Sequence, residues 1–354
     1  MEIIFSDLFK DKLILATIVF AISLGVAAYS TWAERKLAAF FQDRIGPNRA
    51  GVFGLLQPIA DGVKLFMKEE IIPADSDKFL FIVGPSLFML TALMTSAVIP
   101  WSTPLDLGNG HIFEMQVADI NIGILYVFAV VSIGVYGIMI GGWSSNNKYS
   151  LMGAIRASSQ MISYELAMGL SIIAIIMMSS SMSIKDIVAQ QSGGLYGMEG
   201  LQGLNWNIFY QPLGFILFLV CAFAECNRTP FDLPECEAEL GGGFHIEYSS
   251  MKLGLFLFAE YVNMFISSAV IASLYFGGYN FPGLSLLPEF WQSIAGVAVF
   301  MGKITFGIFF FMWVRWTIPR FRYDQLMTLG WKVLLPLAIL NIVLTGGVMS
   351  FFIK

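Results

Sequence analysis

The chain predicts an all-α, polytopic membrane protein of about eight transmembrane helices, with an interfacial amphipathic helix between the first two. Three observations carry this. Of 354 residues, 57% are hydrophobic and 13% charged, and the mean hydropathy is +0.73, values outside the range of soluble folds. Apolar runs near twenty residues recur along the chain, long enough to cross a hydrocarbon layer of about 30 Å. Ionisable residues gather between those runs. No C-x-x-C, no Cys/His grouping at metal-ligand spacing, no G-x-G-x-x-G opening a helix and no P-loop occurs, so no metal, iron–sulfur or nucleotide site is predicted. Residues 1–354 read as a single membrane domain.

The first apolar run, Leu13 to Ala33, follows the mixed-charge stretch Glu2 to Lys12 and ends in Glu34-Arg35-Lys36. It lacks a clear small-residue cleavage site, which suits a retained anchor. Windows of about nineteen residues place the spans near 12–33, 79–99, 119–141, 158–179, 209–227, 251–276, 292–314 and 332–352. An even number puts both termini on one side. Fifteen of the twenty lysines and arginines fall in the segments after spans one, three, five and seven. By the positive-inside rule those segments face the cytoplasm and both termini face outward.

The first inner loop, 34–78, is too long for a turn. Within it Leu55, Leu56, Ile59, Val63, Phe66 and Met67 recur at helical spacing, while Asp61, Lys64 and Lys68 share the other face. Pro58 stands near the start, as it does in first helical turns. This is the amphipathic helix, lying in the membrane interface. An inert surface helix has the same pattern. The preceding stretch, Ala33 to Arg49, mixes charge with Gly-Pro turn signals, as a docking surface or a solvated linker would. The outer loops 100–118 and 180–205 carry turn chemistry and little charge. The inner loops 142–157 and 315–331 combine Trp, Tyr and Arg, as interfacial anchors do.

The acidic inner loop, 226–250, organises the rest. With its flanks it holds Glu225, Glu235, Glu237, Glu239, Glu247, Asp232, Arg228, two prolines and Gly241-Gly242-Gly243. A connector needs no such cluster, because each buried carboxylate costs several kcal/mol unless paired, protonated or hydrated. Glu225 and Arg228 are spaced to meet on one helical face, and on a helix Glu235 and Glu239 share a side with Glu237 turned away. Like charges this close cannot all ionise in a dry site, so some of these groups must hold protons near neutral pH. Such carboxylates suit a proton relay.

Within the predicted spans, Glu165 lies roughly 10 Å and Glu260 roughly 14 Å below the inner edge at 1.5 Å per residue. Glu225 sits at the inner end of span five, and Lys303 falls near the midplane. All lie in the inner half or at the centre, the pattern of a polar half-channel open to the cytoplasm. Buried ion pairs that merely tie helices together are the structural alternative.

Two stretches, AERKLAAFFQDRIGPNRAGVFGLLQPIADGVKLFMKE and AECNRTPFDLPECEAELGGGFHIEY, closely resemble the H-subunit family of bacterial NADH-quinone oxidoreductase, respiratory complex I, which includes subunit 1 of the mitochondrial enzyme. QMISYEL, LFLFAEY and RWTIPRFRYDQLMTLGWK also match. The resemblance implies a proton-translocating NADH:quinone oxidoreductase whose membrane subunit forms a quinone access tunnel and an acidic funnel at the junction with the peripheral arm. It implies quinone as substrate, with no flavin, haem or iron–sulfur cluster on this chain. It implies other membrane-arm subunits and the quinone-site subunits of the peripheral arm as partners, with membrane lipid and no nucleic acid, in a bacterial inner membrane with periplasmic termini. Carried over by motif, Glu34, Arg35, Asp61, Arg228, Phe231 and Asp232 belong to the quinone tunnel. Glu165, Glu225, Glu235, Glu237, Glu247 and Glu260 form the proton-coupling funnel, to which the residue argument adds Glu239 and Lys303. A membrane anchor of an energy-converting hydrogenase is the alternative within the superfamily. An autonomous ion transporter would show internal repeats, and none is clear.

Overall fold

The computed structural model describes residues 2–106, 111–194, 203–232 and 241–352. Among the described residues, seven helical segments are long and apolar enough to cross a membrane: Phe9–Phe41, Lys78–Val98, Gly123–Ser144, Lys148–Ser179, Ser250–Tyr275, Glu289–Thr317 and Tyr323–Phe351. They lie in α1 (Glu2–Phe41), α3 (Lys78–Thr95), α4 (Gly123–Ser144), α5 (Lys148–Ser179), α9 (Ser250–Tyr275), α10 (Glu289–Thr317), and α11 (Tyr323–Thr328) continued through a π-helical stretch, Leu329–Leu334, into α12 (Leu335–Phe352). Pro336 follows that stretch. A proline there has no N–H to donate back, and the widened turn accommodates its ring.

The apolar run at 209–227 differs from its neighbours. It is divided into α7 (Asn207–Tyr210) and α8 (Pro212–Glu225), broken at Gln211 with φ −129° and ψ 56°. Pro212 starts the second piece, a position where its missing donor costs nothing. With 14 residues, α8 is about 21 Å long, shorter than a hydrocarbon layer. By contrast α5 starts ten positions before the predicted span four, so Glu165 stands near the middle of a 32-residue helix.

The bundle closes around α9, whose apolar window is 67% buried. Helices α3 and α4 cross at glycines: a Cβ on Gly84 would stand 2.9 Å from Gly141 Cα, and one on Gly137 2.9 Å from the Gly84 carbonyl oxygen. Gly137 and Gly141 form the small-xxx-small spacing that lets membrane helices approach backbone to backbone. Between α3 and α4, β1 (Leu105–Asp106) and β2 (Ile112–Phe113) form a short antiparallel pair. Trp101 there caps the core, stacked on Phe265 and edge-on to Phe300. The remaining short helix, α6 (Ile184–Gln190), lies between α5 and α7.

The amphipathic helix forms as α2 (Gln57–Met67). Its predicted apolar positions, Leu55, Leu56, Ile59, Val63, Phe66 and Met67, are all turned outward, 42% to 83% exposed. A face that apolar matches the membrane interface or a partner. Its other side is tied to α9 through the Ser250 hydroxyl, which donates to the Leu65 carbonyl over 3.0 Å.

Candidate functional site

Glu34 and Arg35 are neighbours near the end of α1, and their side chains diverge. Glu34 is buried. Its Oε2 accepts from Arg228 Nη1 at 3.3 Å and from the Tyr261 hydroxyl at 2.7 Å, and its Oε1 pairs with Arg315. The Arg228 guanidinium also lies 4.2 Å from the centre of the Tyr261 ring, a cation–π contact. One carboxylate thus holds α1, the loop after α8, α9 and α10 together. Arg35 reaches the other way and bonds Asp61 of α2 at 2.6 Å, with Gln57 donating to the second Asp61 oxygen at 3.2 Å.

Arg228 therefore serves Glu34 rather than Glu225, against the helical pairing expected from their spacing. The helix ends at Glu225, and Asn227 adopts φ 49°, which turns Arg228 off the helical path. The described start of the acidic loop is clamped by Gln160 of α5. Its amide nitrogen donates to the carbonyls of Ala224 (3.0 Å) and Phe231 (2.8 Å) and to Asn227 Oδ1 (3.3 Å). Phe231 is buried and packs on Tyr164 and Phe321. Asp232 is buried and accepts from Arg320 at 3.0 Å. The peptide bond before Pro230 is cis.

A second group of carboxylates is carried by the helices of the bundle. Glu225 is buried, and neither of its oxygens has a hydrogen-bond partner among the described residues. It borders a cavity of about 40 Å³ that Thr95, Ser267 and apolar side chains also line. That is room for an ordered water. Glu165, which accepts from Ser132 of α4, is close enough to Glu225 to interact electrostatically. Glu260 is buried on α9, and Cys226 lies within electrostatic reach of Glu225, Glu260 and Arg228.

Glu247 precedes α9, accepting from Asn147 Nδ2 at 2.6 Å and lining a polar recess of about 350 Å³ with Asp75, Asn146 and Lys148. Beside it Tyr248 stacks on Phe81 at 4.0 Å and donates to the Gly141 carbonyl. Burial pushes its hydroxyl up to about 12, so it stays a donor. Glu235, Glu237 and Glu239 lie outside the described residues.

Lys303 does not join the carboxylates. Its ammonium donates to the carbonyls of Phe276, Gly278 and Asn280, each at 2.7 Å, just past the C-terminal end of α9, and lies over the Trp206 ring. A long side chain can carry its charge several ångströms from its Cα toward the layer's edge, which a depth counted along the helix misses. Gln160, Ser132, Tyr261 and Arg315 join the site without a sequence signal of their own. The first three are uncharged, and Arg315 stands out in the sequence only as one of the inner-loop charges. Among the described residues no three His, Cys, Asp or Glu side chains are placed to hold a metal ion.

A family model described as NADH dehydrogenase matches residues 13–346. The chain is 64% identical over 344 residues to an H subunit of NADH-quinone oxidoreductase from Cytophaga hutchinsonii, covering 97% of each chain. It is 60% identical over 342 residues to the H subunit from Flavobacterium johnsoniae, covering 96% of this chain and 95% of that one. With the H subunit from Thermomicrobium roseum the identity is 50% over 323 residues, 91% of both. Identity this high over nearly the whole length extends far beyond the site motifs, and the chain belongs to the H-subunit family of NADH-quinone oxidoreductase.

Proposed function

We propose that this chain forms the quinone access tunnel and the proton-coupling acidic funnel of a proton-translocating NADH:quinone oxidoreductase, at the junction of its membrane and peripheral arms. One observation carries the reading. Arg35 of α1 pairs with Asp61 of α2, its neighbour Glu34 pairs with Arg228 and Arg315, and Arg228 shares with Glu225 and Glu260 the electrostatic surroundings of Cys226, while Glu225 in turn interacts with Glu165. The outward apolar face of α2 opens this series to the membrane interface, where an oily quinone arrives.

Reducing a quinone takes two electrons and two protons, and the charge in transit must be balanced nearby. The Arg228–Glu34–Tyr261 group is suited to sense that charge, since its buried charges interact strongly when water is excluded. Among the described residues Glu225 has no hydrogen-bond partner to hold it in one protonation state, which suits an intermediate proton holder. On the outer side of Glu225 the cavity walls are mostly apolar, so protons reach it from within. Eight crossings with both termini outside, the bacterial inner membrane, and flanking membrane-arm and peripheral-arm subunits complete this reading.

The test is a photoactivatable quinone mapped on this chain in its purified complex. Labels on α1, α2 and the loop after α8, displaced by excess quinone, are expected. Absence of displaceable labels there would refute the tunnel.

A further inference from the structure

Glu225 stands between two cavities of different size. The larger, about 40 Å³, is shared with Thr95 and Ser267. The smaller, about 10 Å³, is lined by Glu225, Thr91 and Asn263 together with residues that have no polar side chain. A single water needs about 10–15 Å³, so the smaller space is at the lower limit and leaves the polar contact across it to the side chains themselves. Of its three polar residues, Thr91 already donates its proton to the carbonyls of Leu87 and Phe88, both at 3.0 Å. An ionised glutamate only accepts. The amide of Asn263, with two N–H groups, is left as the donor.

The acceptor facing it is buried, and neither Glu225 oxygen has a hydrogen-bond partner among the described residues. A buried acceptor in that state costs free energy until a donor reaches it. Asn263 also lies one turn along α9 from Glu260, three residues and about 4.5 Å of rise away on the same side of the helix. A helical side chain leans over the turn N-terminal to its own Cα, and for Asn263 that turn carries Glu260. Cys226, next to Glu225 in sequence, is within electrostatic reach of Glu260. Asn263 therefore stands where the two carboxyl groups approach each other.

We propose that Asn263 is the positioning residue for Glu225: a small side-chain rotation brings its amide N–H onto the ionised carboxylate and holds that carboxylate toward Glu260. A proton arriving on Glu225 removes the charge the amide was holding. The contact weakens at that step, and the neutral acid turns to the larger cavity beside Ser267. The inference rests on the proton-relay reading of Glu225 and adds to it the uncharged group that sets which way the carboxyl points.

The test is an infrared difference spectrum between the oxidised and the NADH-reduced complex with bound quinone. A carboxyl group that changes protonation gives a C=O band there, and the band of Glu225 is the one missing from Glu225→Gln. Asn263→Val and Asn263→Thr have the same shape and differ by one hydroxyl. In Asn263→Val the ionised form loses its donor, so Glu225 stays protonated in both states. Its band vanishes, and quinone reduction falls about tenfold, the effect of one hydrogen bond to a charged group. Asn263→Thr restores the band and most of the rate. A full band in Asn263→Val, or equal loss in both variants, overturns the inference and leaves the relay standing. Absence of any Glu225 band from the unsubstituted complex refutes the relay itself, and the inference with it. Should neither variant assemble, the unsubstituted complex with 15N in the asparagine amides decides: a 15N-sensitive band that is lost in Glu225→Gln supports the contact, and its absence overturns it.

Discussion

Arg228 Nη1 and Glu34 Oε2 meet at 3.3 Å across 194 positions of sequence, joining the end of α1 to the loop after α8. Both side chains are nearly inaccessible. Tyr261 and Arg315 complete the carboxylate's coordination, so the group acts as one electrostatic unit within which no partner is replaceable without effect on the others.

Arg228→Leu leaves Glu34 buried with Arg315 as its remaining cation. Breaking a buried pair costs about 3–5 kcal/mol, and the surviving Arg315 keeps the loss near the lower bound. Thermal inactivation of quinone reductase activity in the purified complex is expected at lower temperature. The double variant Glu34→Gln/Arg228→Leu should lose less than the sum of the two single variants. Additive losses would show that the two residues do not act together.

Arg35–Asp61 is an exposed pair by comparison, and such pairs contribute less than about 1 kcal/mol to stability. Asp61→Asn should therefore leave assembly and melting unchanged while raising KM for quinone, with kcat largely kept. An unchanged KM would remove Asp61 from the quinone path.

Gln160→Leu takes from the Phe231 carbonyl its Gln160 donor and leaves the Ala224 carbonyl with the Asn227 N–H at 3.3 Å. A buried carbonyl left without a donor costs about 1–3 kcal/mol, and the penalty falls on the base of the acidic loop. Hydrogen exchange over residues 224–232 should accelerate, and quinone reduction should fall while reduction of artificial acceptors by NADH persists. Exchange at the wild-type rate would mean that the clamp is idle.

Gly137→Leu drives a side chain into the Gly84 carbonyl and the Phe88 backbone. Overpacking costs typically about 1–3 kcal/mol, and more here because the obstacle is backbone. The complex should fail to accumulate. Gly169→Ala meets nothing within 4 Å and should accumulate normally, which separates loss of close approach from mere loss of a glycine.

Much of this architecture is legible in the chain because membrane spans and amphipathic faces are written in hydropathy. The apolar positions of α2 and the carboxylates at 34, 165, 225, 247 and 260 are each visible as residues. Their partners are not. Gln160 and Tyr261 carry no charge to draw attention, and the Glu34–Arg315 pair is a contact between distant helices that no local spacing encodes. The break at Gln211 is signalled by Pro212, yet the apolar run across it conceals the interruption. The early start of α5 is hidden by polar residues such as Lys148, Ser150 and Arg156, which lower the hydropathy of that stretch without preventing a helix. Lys303 shows a further limit: depth counted along a helix locates a Cα, while a lysine's charge sits where its stem can carry it.

In the function proposed above, Glu225 passes protons whose movement is tied to quinone reduction. Its most direct test is proton translocation by Glu225→Gln in the complex reconstituted into vesicles, with NADH oxidation by quinone and by an artificial acceptor measured on the same sample. The amide fills the same space, so assembly and artificial-acceptor activity should be retained, while quinone reduction falls and the proton gradient collapses. A Glu225→Gln complex that reduces quinone and acidifies vesicles at the wild-type rate would contradict the account.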